Sequence, residues 1–205
     1  MMANDYIGVV SPEGIAIYPH LTQPDTKFNA MGEYKVSLSV DKSEAAPLIG
    51  NIETAMKQAE KMIPPGKRKK VAEPPYFDEL DDEGQETGRV VFKFKMKAKV
   101  NTKDGRTIEM SPKMFDASGT LMSEVDSIWG GSTLRVSADL VPFYVAAVGA
   151  GVSARLKAVQ IIDLKTGGGA DASSFGFEAT EGYSAPQVET AQDEGFVEDE
   201  ETEDF

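Results

Sequence analysis

The chain contains no cysteine and a single histidine, His20. The first absence rules out disulfides, thiolate zinc sites and a cysteine nucleophile; the second leaves no multi-histidine metal site and makes a Ser-His-Asp triad barely feasible. Tryptophan also occurs once, at Trp129. Long apolar runs are missing: stretches such as Val141 to Val152 are short and interrupted by glycine, well below the roughly 18 residues of a membrane span. The opening Met-Met-Ala-Asn-Asp-Tyr lacks the basic region and apolar core of a signal peptide, so a soluble cytoplasmic protein is expected. Basic residues are absent from everything beyond Lys165.

That last absence decides how the net charge of −13 is understood. All 21 Lys and Arg lie between Lys27 and Lys165, and 12 of the 34 acidic residues lie from Asp171 onward. The first part therefore carries a net charge of −1 and the remainder −12. A globally acidic chain would disfavour a nucleic-acid partner, whose phosphates need cations. Here the acidity belongs to the tail. The Gly167-Gly168-Gly169 run marks the boundary, giving an expected core of residues 1–166 and a Gly-rich linker and tail of residues 167–205. High net charge with few aliphatics predicts disorder from Asp171 to Phe205.

Within the core, several segments alternate with the period of two that half-buried strands require. Tyr34, Val36, Leu38 and Val40 share one face; Lys35, Ser37 and Ser39 share the other. From Val90 to Val100, Phe92, Phe94, Met96, Ala98 and Val100 oppose Lys93, Lys95, Lys97 and Lys99. Further strands are predicted at Ile15–Tyr18, Arg106–Met110, Leu134–Val141 and Ala154–Leu164, with Asp104-Gly105 as a hairpin turn. A helix is predicted over Glu44–Ile63, where Leu48, Ile49, Ile52, Met56, Ala59 and Ile63 recur at helical spacing between a cap at Asp41 or Ser43 and the stop Pro64-Pro65-Gly66. Strands dominate, and a small Greek-key barrel with one inserted helix follows.

The lysine ladder from Lys93 to Lys99 is the sharpest local feature. Its ammonium groups would stand about 6.5–7 Å apart along one strand face, close to the phosphate spacing of an extended strand. Such a row invites a counter-anion, or else forms a solvated face or a lysine-blunted edge. Lys35, Arg155 and Lys157 alternate with apolar neighbours and could line the same groove. Base stacking would require exposed aromatics. Tyr76-Phe77, in a proline-bounded polar stretch expected to be a loop, and Trp129, beside Gly130-Gly131, are the candidates, while Tyr34, Phe92 and Phe94 are expected in the core. Lys67-Arg68-Lys69-Lys70 could track a backbone or form a solvated helix end. The acidic residues from Glu73 to Glu83 lack the register of a calcium loop, and the glycine clusters lack a phosphate-loop lysine. No metal, cofactor or catalytic residue is expected.

The terminus comprises Glu198, Asp199, Glu200, Glu201, Thr202, Glu203, Asp204 and Phe205. An aromatic closing a solvating run has no folding role, and it supplies one apolar anchor beside carboxylates for a partner's basic-rimmed pocket. Together, Gly88 to Lys95, Phe115 to Gly119, Gly131 to Val136, Arg155 to Gln160 and the final Asp204-Phe205 resemble the single-stranded DNA-binding proteins of tailed bacteriophages. The resemblance implies an OB-fold core, a five-stranded Greek-key barrel, that binds single-stranded DNA without sequence preference. It also implies action in phage DNA replication, recombination and repair in the cytoplasm of the infected host. The acidic tail is implied to recruit replication proteins (polymerase, helicase/primase) and to compete with DNA for the groove, and a homodimer is one allowed state. Two other readings stay open: an acidic adaptor or DNA mimic whose core never meets DNA, and a strand-annealing recombination protein.

Overall fold

The computed structural model describes residues 6–166 apart from 28, 103, 124 and 126. The tail residues Glu198 to Phe205 and the boundary at 167 lie outside the described residues. The alternation of the lysine-rich segment builds the central strand, β5 (Glu86–Lys97), with Phe92, Phe94 and Met96 buried and Lys93, Lys95 and Lys97 exposed. It pairs antiparallel with β3 (Glu33–Asp41), from Glu33 opposite Lys97 to Asp41 opposite Arg89. Beyond β3 lies β2 (Gly14–Asp25), which also meets β9 (Thr133–Val145) at Gly14 opposite Leu134 and Ile15 opposite Thr133. β9 pairs along nearly its whole length with β10 (Gly149–Asp163). A parallel contact of Arg155 with Lys95 returns β10 to β5.

The ring β9-β2-β3-β5-β10 is the expected five-stranded barrel, closed unevenly: tight between β9 and β10, open where β5 and β10 part. Its interior is continuous, with Val36, Leu38, Phe92, Phe94, Leu134, Leu140, Leu156 and Val159 all buried.

One helix, α1 (Lys42–Lys61), follows β3. The Asp41 carboxylate caps it by accepting from the Ser43 N–H at 2.9 Å, a bond that stabilises a helix by about 1 kcal/mol. Ala45, Leu48, Ile52, Ala55 and Ala59 form its buried stripe, against β9 and β10. Met62 closes it by donating to Ala59 O, and Pro64 and Pro65 prevent continuation. Among the described residues no helix is long and apolar enough to cross a membrane, and no group of acidic or histidine side chains could hold a metal ion.

Three short strands depart from expectation. β1 (Ile7–Val10) flanks β9, and β4 (Tyr76–Leu80) lies on β5 where a polar loop was expected. β8 (Lys113–Phe115) flanks β10. The ladder strand also ends early: Ala98 donates to Gly32 O at 2.9 Å and accepts from Met110 N–H at 2.7 Å, breaking the chain direction. Lys99 therefore belongs to β6 (Lys99–Asn101), which pairs with β7 (Thr107–Glu109) around the expected turn, Gly105 taking φ 82°. Gly149 opens β10 at φ 107°, and a Cβ there would lie 2.5 Å from the Lys70 carbonyl oxygen. Any side chain at that position would displace the 67–70 segment.

Candidate nucleic-acid interface

Two lines of basic residues cross at Lys95. Along β5, Lys93, Lys95 and Lys97 share the outer face. Across the sheet, Lys35 on β3 is the register partner of Lys95, and Arg155 on β10 pairs with Lys95 from the other side. Directly paired residues project to the same face, with neighbouring strands about 4.8 Å apart. Where β5 and β10 part, a groove of about 850 Å³ opens, lined by Lys93, Lys95, Lys97 and Arg155 and by the apolar Met96, Val100, Met110 and Phe143.

The basic residues expected at the site differ in their engagements. Lys35 is bound to Asp25 at 2.5 Å, and that hydrogen bond, with one from the Lys27 N–H, holds the Asp25 carboxyl below the usual carboxylate range. Lys157 sits 3.0 Å from Asp139. Lys99, turned away with β6, lies 2.9 Å from Glu109 and lowers that carboxyl in the same way. Neither Lys99, Lys157 nor Lys35 lines the groove. Lys95 has only a loose contact with Glu33, at 3.8 Å, and is 59% exposed. Lys97 has no ion pair among the described residues. Arg155 lies over the Tyr6 ring, its guanidinium carbon 5.5 Å from the centroid. In the 67–70 run, Lys69 bonds Glu60 and Lys70 donates to the Ala147 carbonyl.

The aromatic candidates separate. Because Tyr76 and Phe77 lie on a strand rather than a loop, they face opposite ways. Tyr76 turns inward, its ring 5.8 Å from that of Phe92, and burial, followed by the charges of Glu53 and Asp78, pushes its phenol up. Phe77 stays exposed, with the Lys93 ammonium 4.7 Å above its ring. This is a cation–π contact at the edge of the groove. Trp129 is 53% exposed but lines a different cleft, shared with Tyr18 and His20. Sequence periodicity missed Tyr18, because its exposure depends on an irregularity in β2 between Ile17 and His20.

Comparison with known proteins agrees with this architecture. Residues 13–164 match the family model described as "Single-stranded DNA-binding protein, Bacteriophage T7". A single-stranded DNA-binding protein of Enterobacteria phage T3 is 29% identical over 196 residues, 86% of this chain and 84% of the relative. That of Escherichia phage T7 is 36% identical over 99 residues, 47% of this chain and 40% of its own length. The crystal structure of gp2.5, a single-stranded DNA-binding protein encoded by bacteriophage T7, superposes with a TM-score of 0.66 at 27% identity, covering 88% of this chain and 100% of that one. A bacteriophage Enc34 single-stranded DNA-binding protein, solved in complex with ssDNA, shares the fold at a TM-score of 0.52 and 15% identity, over 82% of this chain and 96% of its own. With a family model that covers the barrel from β2 to the end of β10, the chain belongs to the single-stranded DNA-binding protein family of bacteriophage T7.

Proposed function

We propose that the chain binds single-stranded DNA without sequence preference in the groove between β5 and β10. The observation that carries this reading is the crossing of the Lys93-Lys95-Lys97 ladder with Arg155 over an apolar floor. Phosphates meet ammonium and guanidinium groups, while unpaired bases can lie on Met110 and Phe143. Phe77 extends the surface beyond Lys93, and Lys35 and Lys157 contribute their charge after exchanging a carboxylate for a phosphate. No catalytic step is assigned. Membership of the family supports a role in phage DNA replication, recombination and repair within the infected cell.

Residues 167–205 form the second half of the proposal. A −12 segment tethered to the barrel has a high local concentration at the basic groove and competes with DNA. Displaced by DNA, its Asp204-Phe205 end becomes available to replication proteins such as the polymerase and the helicase/primase. The test is a fluorescence-anisotropy titration of labelled oligo-dT against the full chain and a version ending at Ala170. Both should bind, and the shortened chain more tightly, by about tenfold for each 1.4 kcal/mol of tail attraction removed. Binding by neither would refute the groove; equal or weaker binding by the shortened chain would refute the competition.

A further inference from the structure

We propose that Tyr18 and Trp129 form a second base-stacking subsite for the same single strand, reached from the lysine groove over Lys35 and His20; the proposal rests on the groove reading above. Tyr18 is 85% exposed and is the one non-glycine residue with positive φ, 46°, among the described residues. That backbone region disfavours any residue with a Cβ, and an aromatic gains nothing by standing in water. The strain coincides with the register break between Ile17 and His20, a bulge-like irregularity of the kind that re-aims a side chain. Outliers of this sort concentrate at ligand sites.

Trp129 is exposed without being loose. Its N–H donates to Lys165 O at 3.0 Å, its carbonyl accepts from Ser132 Oγ at 2.8 Å, and the Gly131 N–H donates to Ala16 O at 2.9 Å. Ser132 itself is fully buried. The segment carrying Trp129 is therefore stitched to the barrel while its indole faces outward. Tyr18 and Trp129 line one cleft of about 380 Å³ with His20, Pro19 and Gly130. Among the described residues no acidic one lines it, whereas Glu33 and Glu73 line the main groove.

Register ties the two places together. His20 on β2 is opposite Lys35, Lys35 is opposite Lys95, and Lys95 is opposite Arg155, so one row crosses four strands on a single face. Two strand spacings, about 10 Å, separate His20 from Lys95, a distance that a few extended nucleotides span. A strand seated on the ladder and turning along this row brings its next bases to Tyr18 and Trp129.

Trp129 is the sole tryptophan, so its emission reports the cleft directly. The full chain is titrated with oligo-dT of about 16 and about 4 nucleotides, the range of site sizes for one such fold, following anisotropy and tryptophan emission together. The longer strand should quench Trp129 with the midpoint seen by anisotropy. Tyr18→Ala and Trp129→Ala should each weaken it about 5- to 150-fold, the value of one stacked base, without changing the salt slope. Trp129→Phe should restore most of the affinity, and the short strand should barely distinguish the variants. Strand binding with unchanged emission and unchanged affinity in both alanine variants overturns the subsite and leaves the groove standing. No anisotropy change with either strand sinks the groove reading itself. An emission change that follows protein concentration without DNA assigns the cleft to a second copy, and also overturns the proposal.

Discussion

Replacing Lys93, Lys95 and Lys97 together by alanine is expected to weaken oligo-dT binding about 100-fold near 0.1 M salt. The magnitude follows from counterion release. Each phosphate contact to a single strand contributes a slope of about −0.7 in log K against log salt. Three contacts amount to about two orders of magnitude between 1 M and 0.1 M salt, and the variant's slope should be shallower by about 2. The barrel should survive, because all three side chains are exposed and, among the described residues, the only carboxylate bond lost is the loose one from Lys95 to Glu33. Such exposed pairs contribute little. Lys57→Ala with Lys61→Ala, two exposed lysines on α1, is the control for a mere change in net charge. An unchanged affinity and slope in the triple variant would remove the ladder from the binding surface.

The second large effect concerns the opposite face of the same strand. Phe94→Ala should destabilise the barrel by about 3–5 kcal/mol, the usual result of deleting a buried aromatic, visible as a lower urea midpoint at unchanged m value. Phe94 is 2% exposed, belongs to the main core and stands between Lys93 and Lys95 in the chain. Its side chain lies on the face opposite both lysines. Measured where the variant is still folded, its affinity for oligo-dT should stay close to that of the unmodified chain. A loss below about 1 kcal/mol would mean that the interior closes over the gap.

Much of this arrangement is legible in the amino-acid order because the barrel strands announce themselves by alternation. In β3, β5 and β10, polar or charged residues alternate with buried ones, and the ladder and Arg155 follow directly from that pattern. The helix is equally plain from its apolar spacing and the Asp41 cap. β4 is hidden because Tyr76-Phe77-Asp78-Glu79-Leu80 is more than half exposed and is held by pairing with β5, a long-range contact that no local pattern reveals. β1 and β8 are short edge strands with the same difficulty. At the site, the break at Ala98 that removes Lys99 depends on Gly32 and Met110, distant in the chain. The exposure of Tyr18 depends on an irregular register with β3. Charges on regular strands can be placed from sequence; aromatics at irregularities cannot.

The most direct test of the central claim is a titration of the full chain with labelled oligo-dT and with a duplex of the same length at one salt concentration. On the proposed reading, unpaired bases reach the apolar floor and the exposed rings, while paired ones do not. The single strand should bind more tightly by at least about tenfold, since two lost stacking contacts alone amount to that. Equal affinity for both would mean that the protein senses phosphate charge only, and would contradict a groove built for unpaired bases.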